Sequence, residues 1–220
     1  MHFNFDLVVN SFPLLLVGAG VTIKITALSV ALGVVIGLFV GIARISRIKL
    51  LRVLAAIYVD FFRGTPLLVQ IFLVYFALPV ITGQRVDPFV AAIGSCGINS
   101  GAYVAEIFRA GILAVDKGQT EAARSLGLSS WQSMRLVVLP QAIRTMIPSI
   151  INQFIITLKD TSILSVIGFP ELVNTAKNVV ANTMRAFEVW AIVGIMYLIV
   201  ITLLSRLAKR LERRLNRGRE

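Results

Sequence analysis

Five stretches of this chain are apolar and free of charged residues, and their lengths dictate the solvent in which the chain can fold. They lie at residues 25–43, 64–84, 89–105, 145–158 and 189–205. A helix of about 20 apolar residues crosses the hydrocarbon core of a bilayer, and apolar neighbours extend the short fourth stretch past single charges. With 57% hydrophobic residues and a mean hydropathy of +0.84, the chain exceeds what a soluble surface tolerates. The sequence predicts an all-α integral membrane protein with five transmembrane helices.

The positive charges predict the orientation of these helices. Of the 22 Lys and Arg residues, 15 lie in the segments 44–52, 114–146 and 206–220. Because Lys and Arg are enriched in cytoplasmic loops, these three segments are predicted to face the cytoplasm. The N-terminus is then outside and the C-terminus cytoplasmic, as an odd number of spans requires. The net charge of +11 follows from this orientation, so no nucleic-acid partner is expected.

The sequence lacks the residue patterns of metal-binding proteins, enzymes and nucleotide-binding proteins. The single Cys96 cannot form an internal disulfide, and the single His2 has no Cys or His neighbours, so no metal site is expected. No catalytic combination of residues is evident, and no Gly-x-x-x-x-Gly-Lys-Ser/Thr pattern that would hold nucleotide phosphates occurs. No repeat or linker divides the chain, so residues 1–220 are predicted to form one membrane domain.

The longest polar interruption on the predicted inner face, residues 114–141, has strong helix signals. Asp116 and Gln119 can cap a first helix, and Gly127 suits the left-handed turn at its end. Ser129 and Gln132 repeat the capping pattern for a second helix. The segment is therefore predicted to form two short helices joined at Gly127, a compact cytoplasmic knob between spans three and four, with Pro140 in the first turn of the fourth span.

The spacing within this segment resembles a known motif. Glu121-Ala122-Ala123, then Gly127, Val137 and Leu139-Pro140, is similar to the EAA loop of bacterial ABC importer permeases. Three further segments resemble the polar amino acid subfamily of these permeases: residues 63–70, 99–111 and 158–168. Together these matches cover most of the chain from the second span onward.

The resemblance implies a type I importer in the bacterial cytoplasmic (inner) membrane. Its partners would be a second permease subunit (a copy or a paralogue), a cytoplasmic ABC ATPase dimer and an extracytoplasmic solute-binding protein. No cofactor would be bound by this chain, because ATP and Mg²⁺ belong to the partner ATPase. A polar or charged amino acid would be imported by alternating access. The residues expected to couple to the ATPase are Glu121, Ala122, Ala123, Gly127, Leu139 and Pro140.

Polar side chains within the spans are candidates for the substrate site, because each is costly in hydrocarbon. The candidates are Gln70, Asn99, Ser100, Tyr103, Gln153, Asp160, Thr161 and Ser162. Structural roles compete with binding. Small residues around Ser100 suit close helix packing and offer one possible contact in a dimer. Asp160 could instead cap a helix at the outer interface.

Two charged pairs are predicted near these candidates. Glu106 and Arg109 are three residues apart on one helical face and are expected to pair, as a structural ion pair or an inner gate. Arg63 is expected to pair with Asp60, beside a kink at Pro66 within the second span.

An ion-coupled secondary transporter or a channel subunit is the alternative function. Either would explain spans with buried polar groups, but neither explains the helical inner segment with this spacing. Uptake that persists without ATP would favour the alternative.

Overall fold

The computed structural model describes residues 4–216, and side chains up to residue 214. Over this range the chain is helical and contains no strand. The helices are α1 (Phe5–Ile45), α2 (Lys49–Gly64), α3 (Leu67–Thr82), α4 (Pro88–Leu113), α5 (Lys117–Ser125), α6 (Ser130–Ile167), α7 (Leu172–Thr183) and α8 (Ala186–Asn216).

Three of these helices, α1, α6 and α8, are long and apolar enough to cross a membrane. The pair α2 and α3 makes a fourth crossing if the two helices are counted as one broken span. Helix α4 is long enough to cross but is less apolar, because glycine, serine and asparagine residues interrupt it. The helical class is confirmed, and the count of five spans stays a prediction.

Glycines bring α1 and α4 into close contact. Gly33 and Gly37 of α1 face Ser100 and Val104 of α4, and a Cβ added at Gly37 would lie 2.6 Å from Val104 Cγ1. The contacts advance in the same order on both helices, so α1 and α4 run parallel. The small-residue face of α4, predicted as a possible contact between subunits, is instead largely covered by α1 of the same chain. Residue spacing alone does not indicate which helix covers this face.

The region predicted as the second span contains two separate helices rather than one kinked helix. Helix α2 ends at Gly64 and α3 begins at Leu67, with an angle of 104° between them. Pro66 cannot donate a backbone hydrogen bond and restricts Thr65 to an extended conformation, so the helix cannot continue through this point. The prediction of a kink within one helix was wrong, because α2 ends here and the chain changes direction.

Two later prolines are accommodated without a break. Wide five-residue turns at Leu73–Ala77 and Met134–Val138 come just before Pro79 and Pro140. Such turns leave room for a ring that would clash with the preceding helical turn. The helix that begins at Ser130 therefore continues into the membrane, and the second of the two predicted short helices is the first part of α6.

Helix α7 is held against α1 by its capped N-terminus. The carboxylate of Glu171 accepts the N–H groups of Val173 and Asn174 at 2.8 and 2.7 Å. The hydroxyl of Thr22 on α1 accepts the N–H of Leu172 at 3.1 Å. These bonds satisfy the free donors of the first helical turn. They fix the end of the molecule opposite to α5.

Candidate functional site

A cavity of about 590 Å³ lies between α4 and α6. Its wall includes Arg63 at the end of α2, and it reaches Ala114 at the start of the 114–141 segment, which we call the coupling segment. The polar residues that line it are Arg63, Tyr103, Glu106, Thr145, Ser149, Asn152 and Gln153. The volume is in the range of small-molecule sites.

Two predicted substrate residues, Tyr103 and Gln153, face this cavity from opposite walls. The Gln153 amide is buried and donates only a long hydrogen bond, 3.3 Å, to the Thr157 hydroxyl on the same helix. Its remaining hydrogen-bonding capacity is available to a ligand. The role of both residues in binding stays a prediction.

Arg63 is the cavity residue that sequence reasoning placed wrongly. Its guanidinium carbon lies 5.3 Å from the centre of the Tyr103 ring, a cation–π distance. Among the described residues, the ion pairs do not include the predicted one with Asp60. Arg63 sits one residue before the end of α2, so the break directs it to the cavity. The position of Arg63 directly before Gly-Thr-Pro, a sequence that ends helices, was the signal that could have indicated this placement.

Gln70 and Asn99, both predicted to bind substrate, serve the broken helix instead. The Gln70 amide donates to the carbonyl oxygens of Phe62 and Thr65 at 3.0 and 3.1 Å. The Asn99 amide donates to Phe62 O at 3.2 Å and to Gln70 Oε1 at 3.0 Å. Both side chains are buried. The two amides therefore satisfy carbonyl groups that the end of α2 leaves without helical partners.

We expect Gln70→Leu and Asn99→Leu each to destabilise the protein by about 1–3 kcal/mol, because each leaves buried polar groups unpaired. The double variant should be less destabilised than the sum, since the two amides bond to each other. Thermal unfolding in detergent measures both effects. Gln153→Leu is the control, because its amide bonds only within its own helix. A Gln70→Leu protein with normal stability and lost uptake would restore Gln70 to the substrate site.

The other predicted substrate residues are not brought to this cavity. Ser100 is buried against Gly33 of α1. The hydroxyls of Thr161 and Ser162 donate to the carbonyls of Leu158 and Lys159, at 2.7 and 2.6 Å. Asp160 is half-buried at the far end of α6 and, over the described range, is not part of the cavity lining. These four residues have positions that suit packing and helix ends.

An ion cluster lies at the cavity wall near the coupling segment. Glu106 accepts from Arg109 Nε at 2.9 and 3.0 Å, which confirms the predicted pair. Arg44 Nη2 at the end of α1 also donates to Glu106, at 3.4 Å. Sequence spacing could not reveal Arg44 as a partner, because it lies 62 positions before Glu106 in the chain. The cluster ties α1 to the cavity wall.

The coupling segment has the predicted turn and one of the predicted caps. Gly127 has φ +84°, and Ser129 with Gln132 forms a reciprocal capping box. The cap of α5 differs from the prediction, because Asp116 accepts from Gly118 N and the Gln119 side chain contacts Gln141 instead. In a reciprocal cap the side chain of Gln119 would bond back to the backbone N–H of Asp116. It accepts a hydrogen bond from Gln141 instead.

The surface of the coupling segment includes exposed apolar side chains. Glu121, Ala122, Gly127 and Pro140 are exposed, and Leu139 is half-buried. Ala123 is buried within the segment, so it supports the turn and is not available to a partner. Leu126 and Trp131, which sequence reasoning did not select, are 84% and 70% exposed. Large apolar side chains on a polar segment were the signal for this exposed apolar surface.

Comparisons with known proteins agree with this arrangement. A family model described as "binding-protein-dependent transport system inner membrane component" matches residues 33–217. The chain is 44% identical over 216 residues to the glutamine transport system permease protein of Escherichia coli (strain K12), covering 98% of this chain and 99% of the relative. It is 37% identical over 215 residues to the arginine transport system permease protein of Bacillus subtilis (strain 168), covering 98% of each. The solved structure of an amino acid ABC transporter with histidines matches with a TM-score of 0.93 and 42% identity, covering 97% of this chain and 100% of that chain.

Proposed function

Because this chain belongs to the family of binding-protein-dependent transport system inner membrane components, we propose that it is the permease subunit of an importer driven by ATP hydrolysis. The proposed substrate is a polar amino acid, and glutamine is the first candidate. The observation that carries this proposal is the match to amino acid permeases along nearly the whole chain. The polar cavity next to the coupling segment supports it. The chain itself is a transport subunit, and ATP is hydrolysed by a separate subunit.

We assign five spans, with α2 and α3 as one broken span and α4 as the next. Since α1 and α4 run parallel, the basic loop after α1 lies on the same side as the coupling segment. Helix α8 follows α6 and α7 and returns in the opposite direction to α6, so its basic end emerges on this side too. The enrichment of Lys and Arg assigns this side to the cytoplasm and the N-terminus to the outside of a bacterial inner membrane.

The cavity lining favours an amino acid with a neutral polar side chain. Arg63 is a donor for the substrate carboxylate, and Glu106 is already neutralised by Arg109 and Arg44. Asn152 and Gln153 present amides, which complement the amide of a side chain such as that of glutamine. A cationic side chain would lack a free carboxylate on this wall.

The proposed partners are a second permease subunit, an ABC ATPase dimer and a solute-binding protein. Five spans enclose a pore only together with a second permease subunit, either a copy or a paralogue. The exposed apolar groups of the coupling segment are the proposed docking surface for an ABC ATPase dimer. A solute-binding protein would deliver the amino acid at the opposite face. Nucleotide-driven movement of the coupling segment would tilt α4 and α6, on which the cavity lies.

Replacing Arg63 by glutamine is expected to raise the KM for uptake about tenfold or more, because a charge-assisted hydrogen bond to the carboxylate is worth about 1.5–3 kcal/mol. Arg52→Gln is the matched control, since Arg52 is exposed on the same helix and outside the cavity lining. Uptake of radiolabelled glutamine and the unfolding temperature are measured for both. Equal uptake by the two variants would remove Arg63 from the site.

The experiment that tests the function is purification of the permease with its native partners, followed by uptake assays in vesicles. An ATPase subunit should copurify, and uptake of a polar amino acid should require ATP. Uptake driven by an ion gradient without ATP would support a secondary transporter.

A further inference from the structure

The end of α8 is a basic surface that the transport mechanism does not use. Residues 206–214 include five basic side chains against one acidic residue, Glu212. All five are exposed, and the ion pairs of the described residues lie elsewhere in the fold. The basic residues are Arg206, Lys209, Arg210, Arg213 and Arg214.

This surface continues directly from the apolar part of the helix. Helix α8 is unbroken from Ala186 to Asn216, so the basic end stands out of the membrane and does not fold back along it. Nine residues beyond Ser205 rise about 14 Å at 1.5 Å per residue. The polar headgroup layer on each side of a bilayer is about 5–8 Å thick. Arg206, Lys209 and Arg210 therefore lie at headgroup level, and the arginines beyond them can bend back to it.

One face of this end combines leucines with arginines. Leu207 and Leu211, with Arg210, Arg213 and Arg214, line an open groove of about 370 Å³. Guanidinium groups bind phosphate with two parallel hydrogen bonds. The leucines can contact an apolar group attached to that phosphate, such as the acyl chains of a lipid. A free phosphate ion would make no use of the leucines. The combined chemistry fits a phospholipid with net negative charge.

We propose that the basic end of α8, residues 206–214, is a binding site for the headgroups of anionic phospholipids. The five positive charges favour anionic over zwitterionic lipids, because a zwitterionic headgroup has no net charge to attract them. The site faces the leaflet on the side of the coupling segment. Only the naming of that leaflet as cytoplasmic depends on the proposed function.

Photo-crosslinking of the full-length permease in vesicles tests this proposal. One of two lipid analogues, phosphatidylglycerol or phosphatidylcholine with the same photoreactive headgroup-proximal label, is mixed into otherwise identical bilayers. The crosslinked peptides are then identified by mass spectrometry. We expect the 206–216 peptide to be labelled about fivefold or more strongly by the phosphatidylglycerol analogue, and the preference to fall as salt rises.

Charge variants make the result specific. The triple variant R210Q/R213Q/R214Q should lose the preference at this peptide, and R210K/R213K/R214K should keep most of it. The control R47Q/K49Q/R52Q removes three charges from the basic loop on the same side and should leave labelling of the 206–216 peptide unchanged. Equal labelling by the two lipids, or an unchanged preference in R210Q/R213Q/R214Q, would overturn the proposal. Loss of copurifying ATPase from that variant with unchanged lipid labelling would assign the surface to the ATPase instead.

Discussion

Replacing Gly37 by alanine is expected to destabilise the protein more than the same change at any other glycine of α1. The new Cβ would lie 2.6 Å from Val104 Cγ1 and 2.9 Å from the backbone nitrogen of Ala105. Because the second contact is with backbone, rotation of a side chain cannot relieve it, and the two helices must separate. Overpacking of a core costs about 1–3 kcal/mol, and we expect a loss at or above the upper end of this range.

The yield of monodisperse protein and the unfolding temperature in detergent measure this effect. Gly20→Ala is the control on the same helix, because a Cβ at Gly20 meets no atom within 4 Å. The double variant Gly37→Ala/Val104→Ala should regain part of the loss, since it removes the nearest clash. If Gly37→Ala behaves like Gly20→Ala, α1 and α4 do not pack as closely as the structure shows.

The double substitution Leu126→Asp/Trp131→Asp is expected to abolish binding of the ATPase subunit. Large exposed apolar residues at the centre of an interface contribute about 2 kcal/mol or more each, and buried aspartates would add the cost of desolvation. Affinity should therefore fall by a factor of several hundred or more. Both side chains are exposed, so the permease itself should fold normally. Copurification of the ATPase and the unfolding temperature are measured together.

Met184→Asp is a matched control for this prediction. Met184 is as exposed as Leu126, at 84%, but lies between α7 and α8 at the opposite end of the molecule. Its φ of +55° is one that aspartate tolerates. ATPase should copurify normally with this variant. Retention of the ATPase by the double variant would show that the apolar groups of the coupling segment are not its docking surface.

Local patterns predicted the features that depend on neighbouring residues. The apolar helices, the capping box at Ser129, the left-handed turn at Gly127 and the pairing of Glu106 with Arg109 all depend on residues at most a few positions apart. Helix periodicity and capping chemistry are sufficient for such features.

Features that depend on distant contacts could not be predicted in this way. A polar side chain within a span can face a cavity or satisfy the backbone of another helix, and the choice depends on what lies opposite. Asn99 faces the carbonyl of Phe62, which lies 37 positions earlier, so its amide serves the end of α2. Arg63 faces the cavity because the chain breaks just after it. The sequence indicated Asn99 as a substrate candidate and Arg63 as a partner of Asp60, because the residues opposite them could not be predicted.

The broken second span connects these observations to transport. If α2 and α3 form one span, its irregular backbone is tolerated in the bilayer because Gln70 and Asn99 satisfy the free carbonyls and Arg63 faces a polar cavity. The cavity walls α4 and α6 both lead directly into the coupling segment. A movement imposed on that segment would therefore reach the cavity directly through α6, and through the short turn at residues 114–116 to α4.

ATP-driven uptake into vesicles tests the central claim most directly. The permease is reconstituted with its copurified ATPase and its solute-binding protein, and radiolabelled glutamine and other polar amino acids are supplied on the side of the binding protein. We expect a polar amino acid to accumulate against its gradient with ATP, and not with a non-hydrolysable analogue or with Leu126→Asp/Trp131→Asp. Uptake that continues without ATP hydrolysis and stops when an ionophore dissipates the ion gradients would contradict it.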